Sequence, residues 1–360
     1  VAAEVPMEAV DAFLTPSERR RLSRADRLGV WAATEAVHHA GLLAGGVDRS
    51  RVGVFLGAGT AGLLRSERFY HDWKTRGIDR ARLSDVRNHQ PNTPNDVIAH
   101  RFGFEGMRRC IVAACSSSTI AIGQAVDAIR LGRVDVALAG GTDALARLTY
   151  SGFNQLKLMD VEPCRPFDRS RAGMSIGEGA GMLVLERLDH ARRRGAQIHA
   201  ELAGYALGCE AHHATAPEPE GRPLSTIVRA ALSDAGVSVS AVDHVNAHGT
   251  ATLQNDLAEA RAFRRLLGER VHDVPVTSVK SMIGHCLGAA GSVEAAVLVL
   301  TVSSGVIPPT VHHEETDPEC GLDVVANEPR EQPVRCGLST SLAFGGNDSA
   351  VVVTAFDGRH

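Results

Sequence analysis

A cysteine and two histidines stand out in this sequence as residues whose settings suit nucleophilic and acid–base chemistry. Cys115 follows a short apolar run at residues 111–114 and precedes Ser116, Ser117, Ser118 and Thr119, after which Ile120, Ala121, Ala125 and Ile129 fall at helical spacing. At a strand-to-helix junction the backbone N–H groups and the positive end of the helix dipole favour a thiolate, and hence a nucleophile. A buried structural cysteine fits the same stretch, since free cysteines are among the most buried residue types. His248 lies in Asn246-Ala-His-Gly-Thr-Ala-Thr, just after an apolar strand. Lys280, His285 and Glu294 lie in Lys280-Ser-Met-Ile-Gly-His-Cys-Leu-Gly-Ala-Ala-Gly-Ser-Val-Glu, around the start of a small-residue helix, and Phe344 sits on the glycine-flexed turn Ser341-Leu-Ala-Phe-Gly-Gly-Asn-Asp. A lone histidine among 16 is usually structural. Two at glycine-bounded strand exits, beside a cysteine at a helix start, point instead to a shared site.

The elements that must position these residues read as an α/β protein. With 360 residues the chain makes one large or two ordinary domains, and 44% hydrophobic content with 36 glycines fits tightly connected strands and helices. Aromatics are only 4%, so the core is expected from Ala, Val, Leu and Ile. Lys+Arg 38 nearly balances Asp+Glu 42, which argues against nucleic-acid or anionic-membrane partners. No apolar run is read as a membrane span and no signal peptide is read at the start. The seven scattered cysteines lack any CxxC pair, which suits a reduced cytoplasmic setting and argues against a metal site.

In chain order, residues 1–27 read as polar and arginine-rich, followed by a helix from Leu28 to Gly41; residues 111–114 read as a buried strand, and residues 65–95 and 150–180 as irregular loops. Gly57, Gly59 and Gly62 superficially resemble a dinucleotide loop, without an acidic residue at the expected distance. The second half echoes the first: residues 274–280 lead into the helix 288–300 as 111–114 lead into theirs, 242–250 parallels 134–142, and 345–353 mirrors 177–185. This duplication implies two α/β halves, 1–194 and 195–360, with the connector near Arg192-Arg-Arg-Gly-Ala and the site at their seam.

Taken in register, Ala114-Cys-Ser-Ser-Ser, residues 135–141, Arg165-Pro-Phe-Asp, Gly177-Glu-Gly-Ala-Gly, Ala247-His-Gly-Thr-Ala-Thr, residues 280–294 and Phe344-Gly-Gly resemble the β-ketoacyl-[acyl carrier protein] synthases of the elongating Cys-His-His type, over essentially the whole chain. The resemblance implies a thiolase-like fold, two duplicated halves in a five-layer αβαβα arrangement, and a homodimer or a heterodimer with a related subunit. It implies decarboxylative condensation of an acyl group held on Cys115 with a malonyl unit, in fatty-acid or polyketide biosynthesis. Both substrates ride on the phosphopantetheine of an acyl carrier protein, with no other cofactor. By the same resemblance, the N–H groups of Cys115 and Phe344 form an oxyanion hole and Phe344 gates the acyl pocket. His248 and His285 bind the malonyl thioester carbonyl as neutral donors, with Lys280 and Glu294 holding their orientation and protonation. Thr250 and Thr252 bond the pantetheine arm. The facing loop Glu210-Ala-His-His-Ala-Thr215 brings His213 and Thr215, and Lys157 meets the acidic carrier protein.

The chain departs from that family at Ala343, where glycine is usual before the gating phenylalanine, at Asn347-Asp348 in place of Thr-Asn, and at Glu210 in place of Asp. The stretch from Met159 to Arg165 is shorter than usual, and the family's valine-rich first strand is not among the residues given: either it precedes them, the favoured reading, or that edge of the sheet is missing. Within the same fold, a partner subunit of the chain-length-factor kind lacks the nucleophile that Cys115 supplies. Thiolases use a second cysteine in another context than Cys286, and His285 excludes the Cys-His-Asn pattern of acyl-CoA-priming synthases. A catalytically reduced partner subunit or a scaffold that kept the fold is the alternative reading.

Overall fold

Two capping boxes organise the first residues: Thr15 with Glu18, and Ser23 with Asp26, each satisfy a backbone N–H left free at a helix start. The arginine-rich opening is therefore largely helical, and helix α1 (Arg24–His39) begins earlier than its apolar spacing predicts. The computed structural model describes residues 1–44 and 47–358. Strand β1 (Val52–Gly57) follows, then helices α2 (Leu63–Arg76) and α3 (Thr93–Phe102), strand β2 (Arg108–Ile111), helix α4 (Ser117–Arg130), strand β3 (Val136–Asp143), helix α5 (Arg147–Gln155) and strand β4 (Gly179–Glu186). The first sheet has the order β2-β1-β3-β4, with only β4 antiparallel to its neighbour.

Between Glu186 and Glu201 the chain crosses to a second sheet. It contains β5 (Glu201–Cys209), helix α6 (Arg222–Asp234), β6 (His244–Asn246), helix α7 (Leu253–Leu267), β7 (Pro275–Thr277), helices α8 (Lys280–Ile283) and α9 (Ala290–Ser304), β8 (Asp323–Val324), β9 (Cys336–Ser341) and β10 (Asn347–Thr354). Its order is β8-β7-β6-β9-β10-β5, with β9, β10 and β5 antiparallel in succession.

Helices α1 and α3 cover the outer face of the first sheet, α4 and α9 lie between the sheets, and α6 and α7 cover the outer face of the second. That is the five-layer α/β arrangement expected from the sequence. The layers are cemented by small aliphatic side chains: Ile122, Ala125, Ala137, Ala139 and Ala295 between the sheets, and Val228, Val245, Phe263 and Val276 beneath α6 and α7.

Several local expectations are corrected. Residues 63–76 form a helix despite their charge, ended by Gly77 at φ 89, and no residue of α2 is buried. The helix α5 runs to Gln155 in a stretch read as loop. The strand before Cys115 is Arg108–Ile111, earlier than the apolar run, and it lies at the sheet edge, which leaves Val112 59% exposed. Sheet order changes one repeat match: β6 occupies the place of β1, and β3 matches β9. The matches of β2 with β7 and of β4 with β10 hold. Leu287–Ser304, with a mean hydropathy of 1.6, is long and apolar enough to cross a membrane, contrary to the expectation from sequence; it is 61% buried between the sheets as core. The glycine loop after β1 cradles a carboxylate of its own chain: Asp143 accepts from the N–H groups of Gly59, Thr60 and Ala61.

Close approach of the layers depends on glycine. A Cβ on Gly57 would stand 2.2 Å from the Ser118 nitrogen, and none of those neighbours is a flexible side-chain end. Gly57→Ala is expected to lower the unfolding free energy by about 3 kcal/mol or more. Gly152→Ala on α5, where a Cβ meets nothing within 4 Å, should be neutral or stabilising by up to about 1 kcal/mol. Denaturant unfolding of the two variants checks both.

Candidate active site

Cys115 sits in a single turn of 3₁₀ helix, Ala114–Ser116, that joins β2 to α4. Ala114 adopts φ 46, a left-handed conformation strained for a residue with a Cβ, and this sharp bend delivers the sulfur to the seam between the halves. The second half repeats the device, with Leu287 at φ 52 opening the Leu287–Ala289 turn before α9. The junction holds α4 firmly: Ser117 Oγ donates to the Ala114 carbonyl at 2.6 Å and accepts from Ala113 N–H at 2.8 Å.

The sulfur does not rest as the thiolate that a helix start favours. Burial pushes the Cys115 thiol up to about 12, against the opposing pull of the nearby Lys280 cation. Instead its Sγ lies 3.0 Å from His285 Nε2. The Cys115 sulfur and one nitrogen from each of His248 and His285 all lie within 4.8 Å of one another, and the two imidazole rings stand edge to face with centroids 5.2 Å apart. Three residues separated by up to 170 positions thus share one buried point.

Both histidines are held neutral. Burial comes first among the causes that lower each one well below the ordinary imidazole value, and the Lys280 charge adds to it. Lys280, 1% exposed, donates to the His248 carbonyl at 2.6 Å and to Glu294, and its Nζ lies 3.3 Å from His248 Nδ1. An ammonium has only protons to offer, so Nδ1 must present its lone pair and the His248 proton sits on Nε2. The peptide at His285 is anchored in its turn, with its N–H donating to the Ser175 carbonyl and its carbonyl accepting from Gly177.

The residues expected at this site are found as follows. Cys115, His248, His285, Thr250, Thr252, His213, Thr215, Lys157 and Phe344 all line one cavity of about 540 Å³, while Lys280 and Glu294 lie beneath it as the buried ion pair. Thr250 and Thr252 hydroxyls meet at 2.9 Å near its wall. His213 Nδ1 accepts from the N–H groups of Thr215 and Ala216, which fixes its ring at the rim.

Sequence reasoning missed Glu259 on α7, fully buried, which accepts from the N–H groups of His248 and Gly249 and from the Thr340 hydroxyl. Burial pushes its carboxyl up to about 7. No motif marks it, because it acts on backbone rather than on the cavity. Phe153 on α5 was also missed; its ring packs on Phe344 at 5.4 Å.

A thiol and two imidazoles are in principle a soft metal-donor set. The Lys280 ammonium against His248 Nδ1 opposes a divalent cation there, and the arrangement suits proton and acyl transfer better.

Comparison with known proteins gives a consistent picture. Family models described as the N-terminal and C-terminal domains of β-ketoacyl synthase match residues 7–191 and 199–314. The ketoacyl synthase alpha subunit of the tetracenomycin polyketide synthase of Streptomyces glaucescens is 39% identical over 366 residues, covering 98% of this chain and 86% of its own. The 3-oxoacyl-[acyl-carrier-protein] synthase 2 of a Synechocystis species is 36% identical over 343 residues, 93% of this chain and 82% of its own. Among solved structures, the ishigamide ketosynthase/chain length factor superposes with a TM-score of 0.94 at 34% identity, covering 99% of this chain and 88% of that one.

The raised thiol has a direct consequence. Alkylation of Cys115 by a neutral haloacetamide, followed on its peptide by mass spectrometry, should accelerate about tenfold per pH unit from pH 7 to 10 without levelling off. A plateau below pH 9 would show a thiolate already formed at rest.

Proposed function

We propose that this chain, which belongs to the β-ketoacyl synthase family, catalyses decarboxylative condensation of an acyl thioester with a malonyl thioester, both carried on an acyl carrier protein. The observation that carries the reading is the meeting of Cys115 Sγ and His285 Nε2 at 3.0 Å, with His248 beside them in one cavity.

In the first half-reaction Cys115 Sγ attacks the acyl carbonyl carbon. The bond to the carrier's sulfur breaks, and the thiol proton passes by way of His285 to the departing thiolate. The growing negative charge on oxygen is met by the N–H groups of Cys115 and Phe344. In the second half-reaction the malonyl thioester carbonyl takes hydrogen bonds from His248 Nε2–H and, in the tautomer with its proton on Nε2, from His285. Loss of carbon dioxide leaves an enolate, whose charge those donors stabilise in a dry pocket where neutral imidazoles cannot simply protonate it away. The enolate carbon attacks the acyl carbon on Cys115, the sulfur leaves as thiolate and takes up one proton from solvent to restore the thiol, and the product is two carbons longer.

Lys280 and Glu294 hold His248 in its tautomer. Thr250 and Thr252 receive the pantetheine arm, the 210–216 loop with His213 and Thr215 lines its path, and Lys157 greets the acidic carrier protein. No further cofactor enters this scheme. The chain works as a dimer or with a related partner subunit; the edge position of β2 and the exposed Val112 beside it support pairing along that strand. The likeness to an alpha subunit and to a ketosynthase/chain length factor favours a heterodimer in a polyketide or polyene route, with fatty-acid extension as the second setting. A cytoplasmic, reducing location agrees with a nucleophile that must remain a free thiol.

His248→Ala is expected to retain acylation of Cys115, seen as an added acyl mass on that peptide, while condensation falls by about 10²–10³-fold. Unchanged condensation in this variant would contradict the assignment. Failure of the unaltered protein to acylate Cys115 would favour a partner subunit or scaffold instead.

A further inference from the structure

The turn at 342–348 carries Phe344 and is built on two consecutive left-handed residues, Gly345 at φ 82 and Gly346 at φ 72. It leans on the 210–216 loop through backbone: Glu210 N–H donates to the Gly346 carbonyl and Gly345 N–H to the Ala214 carbonyl, both at 2.9 Å. A Cβ on Gly346 would stand 3.0 Å from the Glu210 Cβ, so the two segments are in close contact.

At that contact two carboxyls face each other. Asp348, 1% exposed, uses Oδ1 to accept from Ala343 N–H at 3.4 Å, while its buried Oδ2 has no N–H or hydroxyl donor. The side chain that meets it is the half-buried Glu210, whose Oε2 accepts from Glu218 N–H at 3.0 Å. Two carboxylates cannot hydrogen-bond without a proton between them. We propose that Glu210 and Asp348 form a proton-bridged latch that positions the Phe344 turn against the 210–216 loop, and that loss of the bridging proton frees the turn and opens the cavity mouth.

The surroundings favour retention of that proton. Burial comes first in pushing Asp348 up to about 8, and the neighbouring Glu210 and, farther off, Glu259 push the same way. The charged and titratable groups around the pair are His212, His213 and Glu218 on the loop, Arg222 on α6 paired with Glu218, Glu259 on α7 and the neutral His248 across the cavity. Ionisation of Glu210 is favoured first by the Glu218 N–H that it accepts and then, among the charged groups, by His212, which is exposed.

The sign follows from proton counting. An exposed carboxyl ionises near pH 4, whereas the latched one does so at about 8. Between those values the latched turn holds one more proton than the released turn. The latched population therefore declines as pH rises across that window, by at most about tenfold per unit, and levels off above it. Positioning of this kind touches no reacting atom. It rests on the proposed function only in taking Phe344 as a gate.

Hydrogen–deuterium exchange of the Gly345 and Gly346 amides in the full chain, corrected for the intrinsic pH dependence of exchange, reads the latch whether or not Cys115 condenses anything. Protection should fall at least about fivefold between pH 6 and 8 in the unaltered protein. It should stay constant in Asp348→Asn, where an amide N–H replaces the bridging proton. Flat protection in the unaltered protein, or a parallel fall in Asp348→Asn, would overturn the proposal. If Asp348→Asn fails to fold, Glu210→Gln carries the same comparison with the donor on the other side.

Discussion

The ammonium of Lys280 is the constraint on which the site depends. A cation this deeply buried is tolerated only when every proton finds an acceptor, and removal of one partner of such a pair costs about 3–5 kcal/mol. Here the acceptors are Glu294 and the His248 carbonyl, with His248 Nδ1 alongside. They come from α9 and from the loop after β6, while the lysine itself opens α8. Satisfying the lysine therefore fixes three separate segments against one another. The same contact leaves His248 with its proton on Nε2 and helps keep both imidazoles neutral. Stability and chemistry share one interaction, which ties the electrostatics of the pocket to the integrity of the second half.

That interaction is delivered to Cys115 by a seam of small residues. Ser116 Oγ donates to the Ser341 carbonyl, the Thr119 and Ser341 hydroxyls meet at 2.8 Å, and Ser118 Oγ accepts from Ser292 N–H, so α4, α9 and the end of β9 interlock through hydroxyls. Asp143 gathers N–H groups from the loop after β1 and from Gly288 in the other half. Alanine, glycine and serine let backbones approach where larger side chains would hold them apart, which accounts for the low aromatic content. The close approach also excludes water, and a dry seam is what raises the Cys115 thiol and lowers the histidines.

Much of this was legible in the sequence because the bends that present Cys115, His248, His285 and Phe344 need small residues that punctuate an apolar background. The two-half architecture was legible for the same reason, through repeated strand-then-glycine endings. The repeat register was less so: β6 is only three residues long, and apolar strands with glycine endings resemble one another whichever place they take in a sheet. Helix α2 escaped notice because charged residues dominate it and none of its apolar side chains is buried, and Glu259 because a carboxylate that accepts from backbone leaves no spacing to read. Spacing shows the helix start that favours a thiolate at Cys115 but not the burial that pushes the thiol up.

The central claim is that burial, reinforced by the Lys280 charge, keeps two imidazoles neutral beside a neutral thiol. Its most direct test is ¹⁵N NMR of the protein labelled in histidine, with His248 and His285 assigned by substitution. The ring nitrogens of both should show neutral imidazole across the ordinary range around 6.5, with no titration there. His248 should also show its proton on Nε2. A midpoint near 6.5 for either residue, or a His248 proton on Nδ1, would contradict the account.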